Sequence, residues 1–460
     1  MSCPFKQNGR RVAGLRALLS TLVRLIMVHP AGCASLARNS LIGTSSCTLI
    51  PVRTSAAPYG SNLAGGHAKT RPRGSGLSVV HPAGFEPAAF GTGNQRSNPL
   101  SYGCIFLPVT VYTAGVKIQE NAELAPLTSF EVGGPAEKLI TLESSDELAE
   151  TLNKAANSKI WPLGYGTNVL ISDEGLPGTT ILFRNKAIEW QGNTVVADAG
   201  VWWDDLVKES INRGLWGLEL TSGVPGSVGA AVFINITAYG QAQSDKLLWA
   251  DYMDSSGQIN RLSADAAQWD YKKSVFQEHE DWLIMRAAYG LNSAKSSSLT
   301  YQSALDVAGE LNLNPDSLSN RREIILEARQ RAGSIFIPGQ NYARTVGSFF
   351  RNPVVTEEQA DLVIEFDETK KSTGQIKAMN QVHGGNQMRV SAAHVLLAAG
   401  FSRGQIWGDV RLHPNNLLKI ENMGNASAQN IYDVAQEIIQ TVKSRLDIDL
   451  KPEARILGQF

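Results

Sequence analysis

The sequence predicts an α+β protein, and two features of its pattern support this class. Segments with strand-like alternation and segments with helical spacing follow one another along most of the chain. The 460 residues also suffice for two or three domains, each with its own core. Glycine-rich stretches interrupt the pattern at residues 164–166 and 217–240, where the backbone could closely approach a ligand.

Residues 1–115 differ in composition from the rest of the chain. They hold nine arginines and two lysines against a single acid, Glu86, whereas the remainder is acidic. We expect a disordered leader that carries no chemistry. The resemblance of residues 80–103 to conceptual translations of structural-RNA genes indicates an over-extended gene start, and an organelle transit peptide is the alternative. The longest apolar run, at residues 17–28, is too short to span a bilayer.

Composition excludes several function classes for the chain beyond residue 115. All four cysteines lie in the leader, so the remainder can form no disulfide, thiolate metal site or cysteine-linked cofactor. The absence of metal-ligand spacing and of a Gly-x-x-x-x-Gly-Lys loop argues against metal catalysis and nucleotide hydrolysis. We predict a cytoplasmic protein without a membrane anchor or a nucleic-acid partner. A monomer is the working expectation, although the sequence leaves the oligomeric state open.

The elements of the chain can be assigned in order from periodicity and breakers. They are a strand at 136–141, a helix at 144–157, a strand, turn and strand at 160–173, a hairpin at 179–200, a helix at 203–213, strands at 247–254 and 283–291, and helices at 391–400 and 427–446. The first helix repeats apolar residues every four positions, and the strands are apolar runs with alternation. Gly214 and Gly400 each follow the last residues of a helical pattern and end it.

The first glycine-rich loop is a candidate for phosphate binding. Gly164 and Gly166 could admit a pyrophosphate, with Thr167 and Asn168 as side-chain donors. The loop does not match the dinucleotide-binding fingerprint, because the third glycine is missing and a strand follows instead of a helix.

The second glycine-rich stretch, residues 217–240, is the segment around which the chain is organised. Gly223, Gly226 and Gly229 fall three apart about Pro225, so the loop could take positive φ and present bare N–H groups. Such groups suit phosphate oxygens. The alternative is an ordinary glycine-rich bend between strands.

Five segments, collinear over residues 117–460, resemble the UDP-N-acetylenolpyruvoylglucosamine reductases, which are FAD enzymes. The segments are residues 128–134, 163–173, 217–240, 344–353 and 450–455. The fourth reads Gly-Ser-Phe-Phe-Arg-Asn-Pro where the family has Gly-Ser-Phe-Phe-Lys-Asn-Pro. The last reads Leu-Lys-Pro-Glu-Ala-Arg where the family has Leu-x-Pro-Glu-Val-Arg.

The resemblance implies a fold and a domain division. Two α+β subdomains would clasp FAD, as in flavoproteins of the vanillyl-alcohol-oxidase (PCMH) type, and a C-terminal α+β domain would bind substrate. The FAD-binding domain would span 116–335, with subdomains at about 116–185 and 186–335. The substrate domain would span 336–445, and residues 446–460 would form a tail that returns to the active site.

The resemblance further implies non-covalent FAD, with NADPH as the reductant. The residues that would bind FAD are Gly164, Tyr165, Gly166, Thr167, Asn168, Val169, Ser222, Gly223, Val224, Pro225, Gly226, Gly229, Asn235, Ala238, Tyr239 and Gly240.

Three residues are the catalytic candidates. Reducing an enolpyruvyl ether needs a hydride at the methylene carbon, a proton at the neighbouring carbon, and stabilisation of the charge that develops on the carboxylate. Ser348 would donate the proton, and its alternative role is that of an ordinary turn residue. Glu453 would orient the enolpyruvyl group, although it could instead be a surface carboxylate beside Arg455. Lys272 stands where the family has an arginine, which removes a planar, two-pronged carboxylate contact.

Substrate contacts and departures from the family follow from the same resemblance. Tyr301 matches a substrate-covering tyrosine of the loop-bearing subfamily, Asn352 matches a nucleotide contact, and Arg351 belongs to the same motif. Thr237 replaces a glycine, so a close backbone contact there is in doubt. Residues 331–338 lack the basic residue that the family uses near the uridine diphosphate.

The sequence therefore predicts an NADPH-dependent FAD reductase that converts UDP-N-acetylenolpyruvoylglucosamine to UDP-N-acetylmuramate for peptidoglycan synthesis. Two alternatives remain open. One is a catalytically weakened protein that binds FAD and a sugar nucleotide, and the other is an oxygen-using oxidase of the same flavin fold.

Overall fold

The computed structural model describes residues 117–148, 150–151, 158–336, 342–365 and 388–460. The predicted leader at 1–115 lies outside these ranges, as does half of the helix predicted at 144–157. Among the described helices, none is long and apolar enough to cross a membrane.

Strands and helices alternate along the described chain, which confirms the α+β class. The strands are β1 (Lys117–Glu123), β2 (Pro135–Leu142), β3 (Ile160–Leu163), β4 (Val169–Ile171), β5 (Leu176–Phe183), β6 (Ile188–Gln191), β7 (Thr194–Asp198), β8 (Thr237–Ala238), β9 (Gln241–Ala242), β10 (Leu247–Met253), β11 (Ile259–Ser263), β12 (Leu283–Gly290), β13 (Ile406–Trp407), β14 (Val410–His413), β15 (Asn416–Asn422) and β16 (Arg455–Leu457). The helices are α1 (Trp203–Asn212), α2 (Val228–Ile234), α3 (Gln302–Glu310), α4 (Leu318–Arg331), α5 (Glu357–Glu365), α6 (Ala392–Ala398) and α7 (Ala428–Leu446).

The first sheet has the order β1-β2-β5-β3. Strand β1 runs antiparallel to β2, whereas β2 and β3 both run parallel to β5. The hairpin predicted at 179–200 is wrong, because residues 179–183 belong to β5. These residues are buried in succession, as is usual for a strand with parallel neighbours on both sides. The true hairpin is formed by β6 and β7 and turns at Gly192.

The second sheet is antiparallel, in the order β11-β10-β12-β7-β6. Helices α1 and α2 contribute to its core, which also contains the fully buried Trp203. The Trp203 Nε1 donates a hydrogen bond to Thr221 Oγ1 at 3.0 Å. Helix α1 is thereby joined to the glycine-rich stretch at 217–240.

A buried ion pair fixes the helix pair α3 and α4 against the same glycine-rich stretch. Arg321 of α4 and Glu219 both have fully buried side chains, and their Nη1 and Oε1 atoms lie 3.1 Å apart. The guanidinium also lies 4.9 Å from the ring centre of Trp216. Loss of Arg321 would leave the buried Glu219 carboxylate without its counter-charge, so this pair holds the segment in register.

The third sheet, β13-β14-β15, packs with helices α5, α6 and α7. Its core includes Phe349 and Phe350. The first two amides of α7 donate to the Asp173 carboxylate at 2.8 and 2.9 Å, just beyond β4. Asp173 therefore caps α7 and links the end of β4 to the third sheet.

The last described segment joins distant parts of the fold. Strand β16 pairs in parallel with β4. The amide of Glu453 donates to the Phe349 carbonyl at 2.7 Å, and the Glu453 carbonyl accepts from Asn168 Nδ2 at 3.2 Å. The backbone of Glu453 is thus held from both sides, by Asn168 of the first glycine-rich loop and by Phe349 in the segment after Gly347.

Candidate active site

Two adjoining cavities form the candidate site. The smaller has a volume of about 120 Å³ and the larger about 310 Å³. They share part of their walls, including Thr167, Asn168 and Pro225. A ligand that crosses these shared residues could extend from one cavity into the other.

The wall of the smaller cavity depends on glycine at two positions of the first loop. A Cβ on Gly164 would lie 2.7 Å from Ser227 Oγ. Gly166 has φ +62°, and a Cβ there would lie 2.0 Å from the Leu127 carbonyl oxygen. Any side chain at Gly166 would therefore displace backbone, so the loop can close only with glycine at this position.

The first loop also presents backbone donors. The amides of Gly166 and Thr167 donate to no other group in the part of the chain that the structure describes. Arg184 Nη1 braces the loop by donating to the Gly164 carbonyl at 2.8 Å, and its guanidinium lies 4.3 Å from the ring centre of Tyr165. This arrangement offers two amides to an anion while the loop itself is held in place.

The three glycines of the second stretch have different surroundings, whereas the sequence suggested a single loop with positive φ and bare N–H groups. Gly223 and Gly226 have positive φ, at +70° and +135°. Gly229 lies inside α2, where its constraint is a close approach to Ala199, 2.9 Å from the position of an added Cβ. The Gly223 amide is already donated to Asp204 Oδ1 at 2.6 Å. That amide is therefore engaged by protein, and the first loop offers more free donors than the second.

Most of the predicted cofactor residues line one of the two cavities. Those on the smaller cavity are Gly164, Tyr165, Gly166, Thr167, Asn168, Val169, Pro225, Gly226 and Gly229. Those on the larger cavity, apart from the shared residues, are Val224, Ala238 and Tyr239. Those that line neither cavity are Ser222, Gly223, Asn235 and Gly240. Asn235 serves the fold instead, since its Nδ2 donates to the Asp270 carbonyl at 2.9 Å.

The three catalytic candidates all line the larger cavity, although they lie far apart in the sequence. Ser348 follows Gly347, whose φ of +80° turns the chain. The next amide, that of Phe349, donates to the Leu418 carbonyl at 2.8 Å and anchors the turn. The Ser348 hydroxyl makes no hydrogen bond to another described residue, so its proton is available to a ligand in the cavity.

Lys272 and Glu453 form an ion pair in the cavity wall. Their Nζ and Oε1 atoms lie 2.8 Å apart, and the side chains are 13% and 14% exposed. Glu453 is therefore not the surface carboxylate that its place near the terminus could suggest. Arg455, the residue expected beside it, pairs with Glu280 at 2.9 Å. Lys272 takes a φ of +55°, a left-handed conformation that few non-glycine residues adopt.

The three predicted substrate residues are placed differently. Tyr301 lines the larger cavity with its ring edge against Tyr239, at 5.5 Å between centroids. Asn352 also lines it, but its Oδ1 already accepts the Ala392 amide at 3.0 Å. Arg351 lines neither cavity. Its amide donates to the Lys451 carbonyl at 2.9 Å, so the backbone of Arg351 holds the tail.

Sequence reasoning missed three polar residues of the larger cavity, namely Tyr271, Arg329 and Lys419. Burial, and then the charge of Glu453, raises the pKa of the Tyr271 hydroxyl above its ordinary value, so the hydroxyl keeps its proton. Lys419 is only 1% exposed and stands on the buried face of β15, two residues after Leu417. Lys419 shares its face of the strand with Leu417 and Glu421, a mixed pattern that in the sequence is typical of an exposed face, so the burial of Lys419 left no sequence signal.

Comparisons with known proteins agree with this geometry. An FAD binding domain model matches residues 136–263, and a model of the UDP-N-acetylenolpyruvoylglucosamine reductase C-terminal domain matches residues 339–457. The UDP-N-acetylenolpyruvoylglucosamine reductase of Mycolicibacterium gilvum is 30% identical over 76% of this chain and 99% of its own. The enzyme of that name from Saccharopolyspora erythraea is 30% identical over 72% of this chain and 94% of its own.

A solved structure shares the fold. It is the UDP-N-acetylenolpyruvylglucosamine reductase of Thermus caldophilus, with a TM-score of 0.51 and 22% sequence identity, and the match covers 75% of this chain and 99% of that chain. The PCMH-type flavin fold with an added C-terminal domain is thereby confirmed.

Proposed function

The chain belongs to the UDP-N-acetylenolpyruvoylglucosamine reductase family, and from this we propose that it reduces UDP-N-acetylenolpyruvoylglucosamine to UDP-N-acetylmuramate in peptidoglycan synthesis. FAD is the non-covalent cofactor and NADPH the reductant. One observation carries the proposal. Ser348, Lys272 and Glu453 meet in one cavity, and that cavity adjoins a second one lined by glycines.

The residues of the smaller cavity fit FAD. Gly164 and Gly166 line this cavity, and their close approach to Ser227 and to the Leu127 carbonyl fixes its wall. The free amides of Gly166 and Thr167 suit a diphosphate. Phe233 and Trp282 add apolar surface for a ring system. No cysteine or histidine lies among the described residues that line either cavity, which favours a non-covalent cofactor. When bound, FAD supplies the hydride that the reaction requires.

The domain division follows the same assignment. Residues 116–335 hold FAD, in subdomains at about 116–185 and 186–335, and residues 336–445 form the substrate domain. Residues 446–460 return to the site, which is consistent with the pairing of β16 with β4 and with the two backbone contacts of Glu453.

Ser348 donates the proton to the carbon next to the methylene group. A serine hydroxyl is a weak acid, so it can act only where a strongly basic carbon develops beside it. The buried rings of Phe349 and Phe350 adjoin Ser348 and limit the access of water. Because the hydroxyl donates to no other described group, no protein hydrogen bond must break before it transfers its proton.

Lys272 and Glu453 hold the carboxylate end of the substrate. The Lys272 ammonium stabilises the negative charge that builds up on the carboxylate as the double bond is reduced. Glu453 keeps that ammonium in place at 2.8 Å. An ammonium lacks the planar fork of a guanidinium, and the paired carboxylate compensates by fixing its direction. Tyr301 and Asn352 contribute to the substrate wall, whereas Arg351 acts through the backbone of the tail.

The test is an anaerobic experiment with the full-length, FAD-loaded chain. We expect NADPH to bleach the flavin absorbance and UDP-N-acetylenolpyruvoylglucosamine to restore it. Bleaching without recovery would contradict the proposed acceptor. Recovery by oxygen alone, with release of hydrogen peroxide, would favour the oxidase. A chain that is purified without flavin, and that does not take it up, would overturn the assignment of the smaller cavity.

A further inference from the structure

Two cations from different elements meet in the wall of the larger cavity. Lys419 of β15 donates from Nζ to the carbonyls of Ala332, at 3.2 Å, and Gly333. Arg329 of α4 donates from Nη2 to the carbonyl of Ser334 at 2.8 Å. Both side chains therefore hold the same segment, and both line the larger cavity and not the smaller one.

Two carboxylates, Glu421 and Asp204, lie near this pair, but neither forms an ion pair with it. Neither Arg329 nor Lys419 has a described carboxylate within 4.0 Å. Glu421, on the same strand as Lys419, is engaged by Arg411 through two hydrogen bonds at 2.6 and 3.1 Å. Asp204 is likewise engaged by Arg322 at 2.7 Å.

Such an arrangement is costly in a protein that binds nothing there. Lys419 is 1% exposed. Its ammonium is hydrogen-bonded to two carbonyls, but a buried charge without a counter-charge is expensive to maintain. Burial, followed by the charge of Arg329, lowers the pKa of Lys419 to about 8. Two neighbouring cations that face one cavity are the arrangement expected of a site that receives a multivalent anion.

We propose that Lys419 and Arg329 together hold the diphosphate of the uridine nucleotide in the larger cavity. This inference rests on the proposed function and names the residues that bind one part of its substrate. Residues 331–338 lack the basic residue expected near that diphosphate. In this chain the ammonium comes instead from β15, and it reaches the backbone of the same segment at Ala332 and Gly333.

Calorimetry with UDP on the full-length, FAD-loaded protein tests the site directly. The variants are Lys419→Met, which keeps length without charge, and Lys419→Arg, which keeps the charge. Lys208→Met, at an exposed position on α1, is the matched control for loss of one lysine. We expect Lys419→Met to weaken UDP binding about tenfold or more, as loss of a charged hydrogen bond to phosphate would. Lys419→Arg should stay within about threefold of the parent, and Lys208→Met should match it.

FAD and NADPH also contain a diphosphate, so the binding of each is measured separately from that of UDP. If Lys419→Met loses FAD, or weakens NADPH binding, while UDP binding is unchanged, the site belongs to those nucleotides and the proposal is wrong. Equal UDP affinity in the parent and in Lys419→Met, or no UDP binding in the parent, overturns it as well. Uridine without phosphate should bind equally to the parent and to Lys419→Met. A larger loss for uridine than for UDP would indicate damage to the cavity instead.

Two further results distinguish a failure of the anion-site proposal from a failure of the proposed reductase activity and from misfolding of a variant. UDP binding could depend on Lys419 while UDP-N-acetylenolpyruvoylglucosamine fails to reoxidise the reduced flavin. That result would support the anion site and contradict the proposed reductase activity. If Lys419→Met does not fold, the Lys419→Arg variant and the parent still decide the question. UDP affinity must then fall above about pH 8 in the parent and stay flatter in Lys419→Arg, and profiles of equal slope would refute the site.

Discussion

The two cavities are built in opposite ways. The smaller one is bounded mainly by two stretches, residues 162–169 and 225–236, and its shape comes from glycine and backbone. The larger one receives charged and hydroxyl side chains from segments scattered between residues 129 and 453. The smaller cavity should tolerate almost no added atom in its wall, whereas the larger cavity depends on the positions of a few charged side chains. Substitutions should therefore have different consequences in the two cavities.

The largest effect is expected for Gly166→Val, which displaces the backbone that supports the wall of the smaller cavity. The new side chain would force positive φ on a β-branched residue and place its Cβ 2.0 Å from the Leu127 carbonyl. We expect a loss of about 2–6 kcal/mol in the free energy of unfolding, together with loss of flavin. Thermal unfolding and the flavin content of the purified protein would measure both.

Gly192→Ala is the matched control for Gly166→Val. Gly192 has a similar φ of +59° but no atom within 4 Å of an added Cβ. It should cost only the strain of positive φ, about 1 kcal/mol, and should retain flavin. Equal flavin loss in the two variants would mean that backbone strain, and not the close approach, controls the smaller cavity.

The next effect is expected for Ser348→Ala in the larger cavity. Removal of the proton donor should slow reoxidation of the reduced enzyme by substrate about 100- to 10,000-fold. Reduction by NADPH needs no proton from Ser348 and should be unchanged, which stopped-flow absorbance can follow in the same sample. Ser263→Ala, on the exposed end of β11, is the control. A normal rate of reoxidation in Ser348→Ala would show that the proton comes from another group.

A smaller effect is expected when the ion pair of Lys272 and Glu453 is broken. Lys272→Met leaves the mostly buried Glu453 carboxylate without its partner and should lower the free energy of unfolding by about 1–3 kcal/mol. Reoxidation should slow about a hundredfold, because the charge on the substrate carboxylate is no longer stabilised.

The double variant Lys272→Met with Glu453→Gln separates structure from catalysis. It should regain most of the stability, because no unpaired charge remains, but none of the rate. Recovery of both would mean that the pair is structural only. Unfolding and reoxidation measured on the parent, on Lys272→Met and on the double variant would distinguish these outcomes.

The smallest effect is a dependence of UDP binding on pH. Burial, and then the charge of Arg329, lowers the pKa of Lys419, while the charge of Glu421 raises it, and the resulting pKa is about 8. His413 is another titratable group beside Lys419, and burial together with the charge of Lys419 lowers the pKa of its imidazole. Below that pH Lys419 is an ammonium ion and attracts the diphosphate. Above it the amine is neutral, and binding must take up a proton. UDP affinity should therefore fall above about pH 8, by at most about tenfold per pH unit.

Lys419→Arg is the control for this pH dependence, because its side chain stays charged throughout the range. Calorimetry at several pH values should give a flatter profile for that variant than for the parent. Profiles of equal slope would exclude Lys419 as the titrating group.

Much of the smaller cavity could be predicted from the sequence. A glycine in the sequence indicates a local backbone constraint, such as a positive φ or a close approach. The loop at Gly164 and Gly166 could therefore be recognised before any contact was known. The same local reasoning failed for the strand at residues 179–183. Its alternation suggested a hairpin, although its partners lie elsewhere in the chain, in β2 and β3. Local pattern identifies a strand but does not choose its neighbours.

Sequence patterns predicted the α+β class, three of the seven described helices (α1, α6 and α7), part of the strands, and Ser348, Lys272 and Glu453 as site residues through their motifs. Packing of the folded chain was needed to show that Lys272 pairs with Glu453, that Gly223 donates its amide to Asp204, and that Lys419 reaches the segment at Ala332. These contacts join residues that are separated along the chain. An ion pair or a shared cavity depends on the distance between side chains in space, and that distance is set by packing of the whole core, not by the residues near either partner.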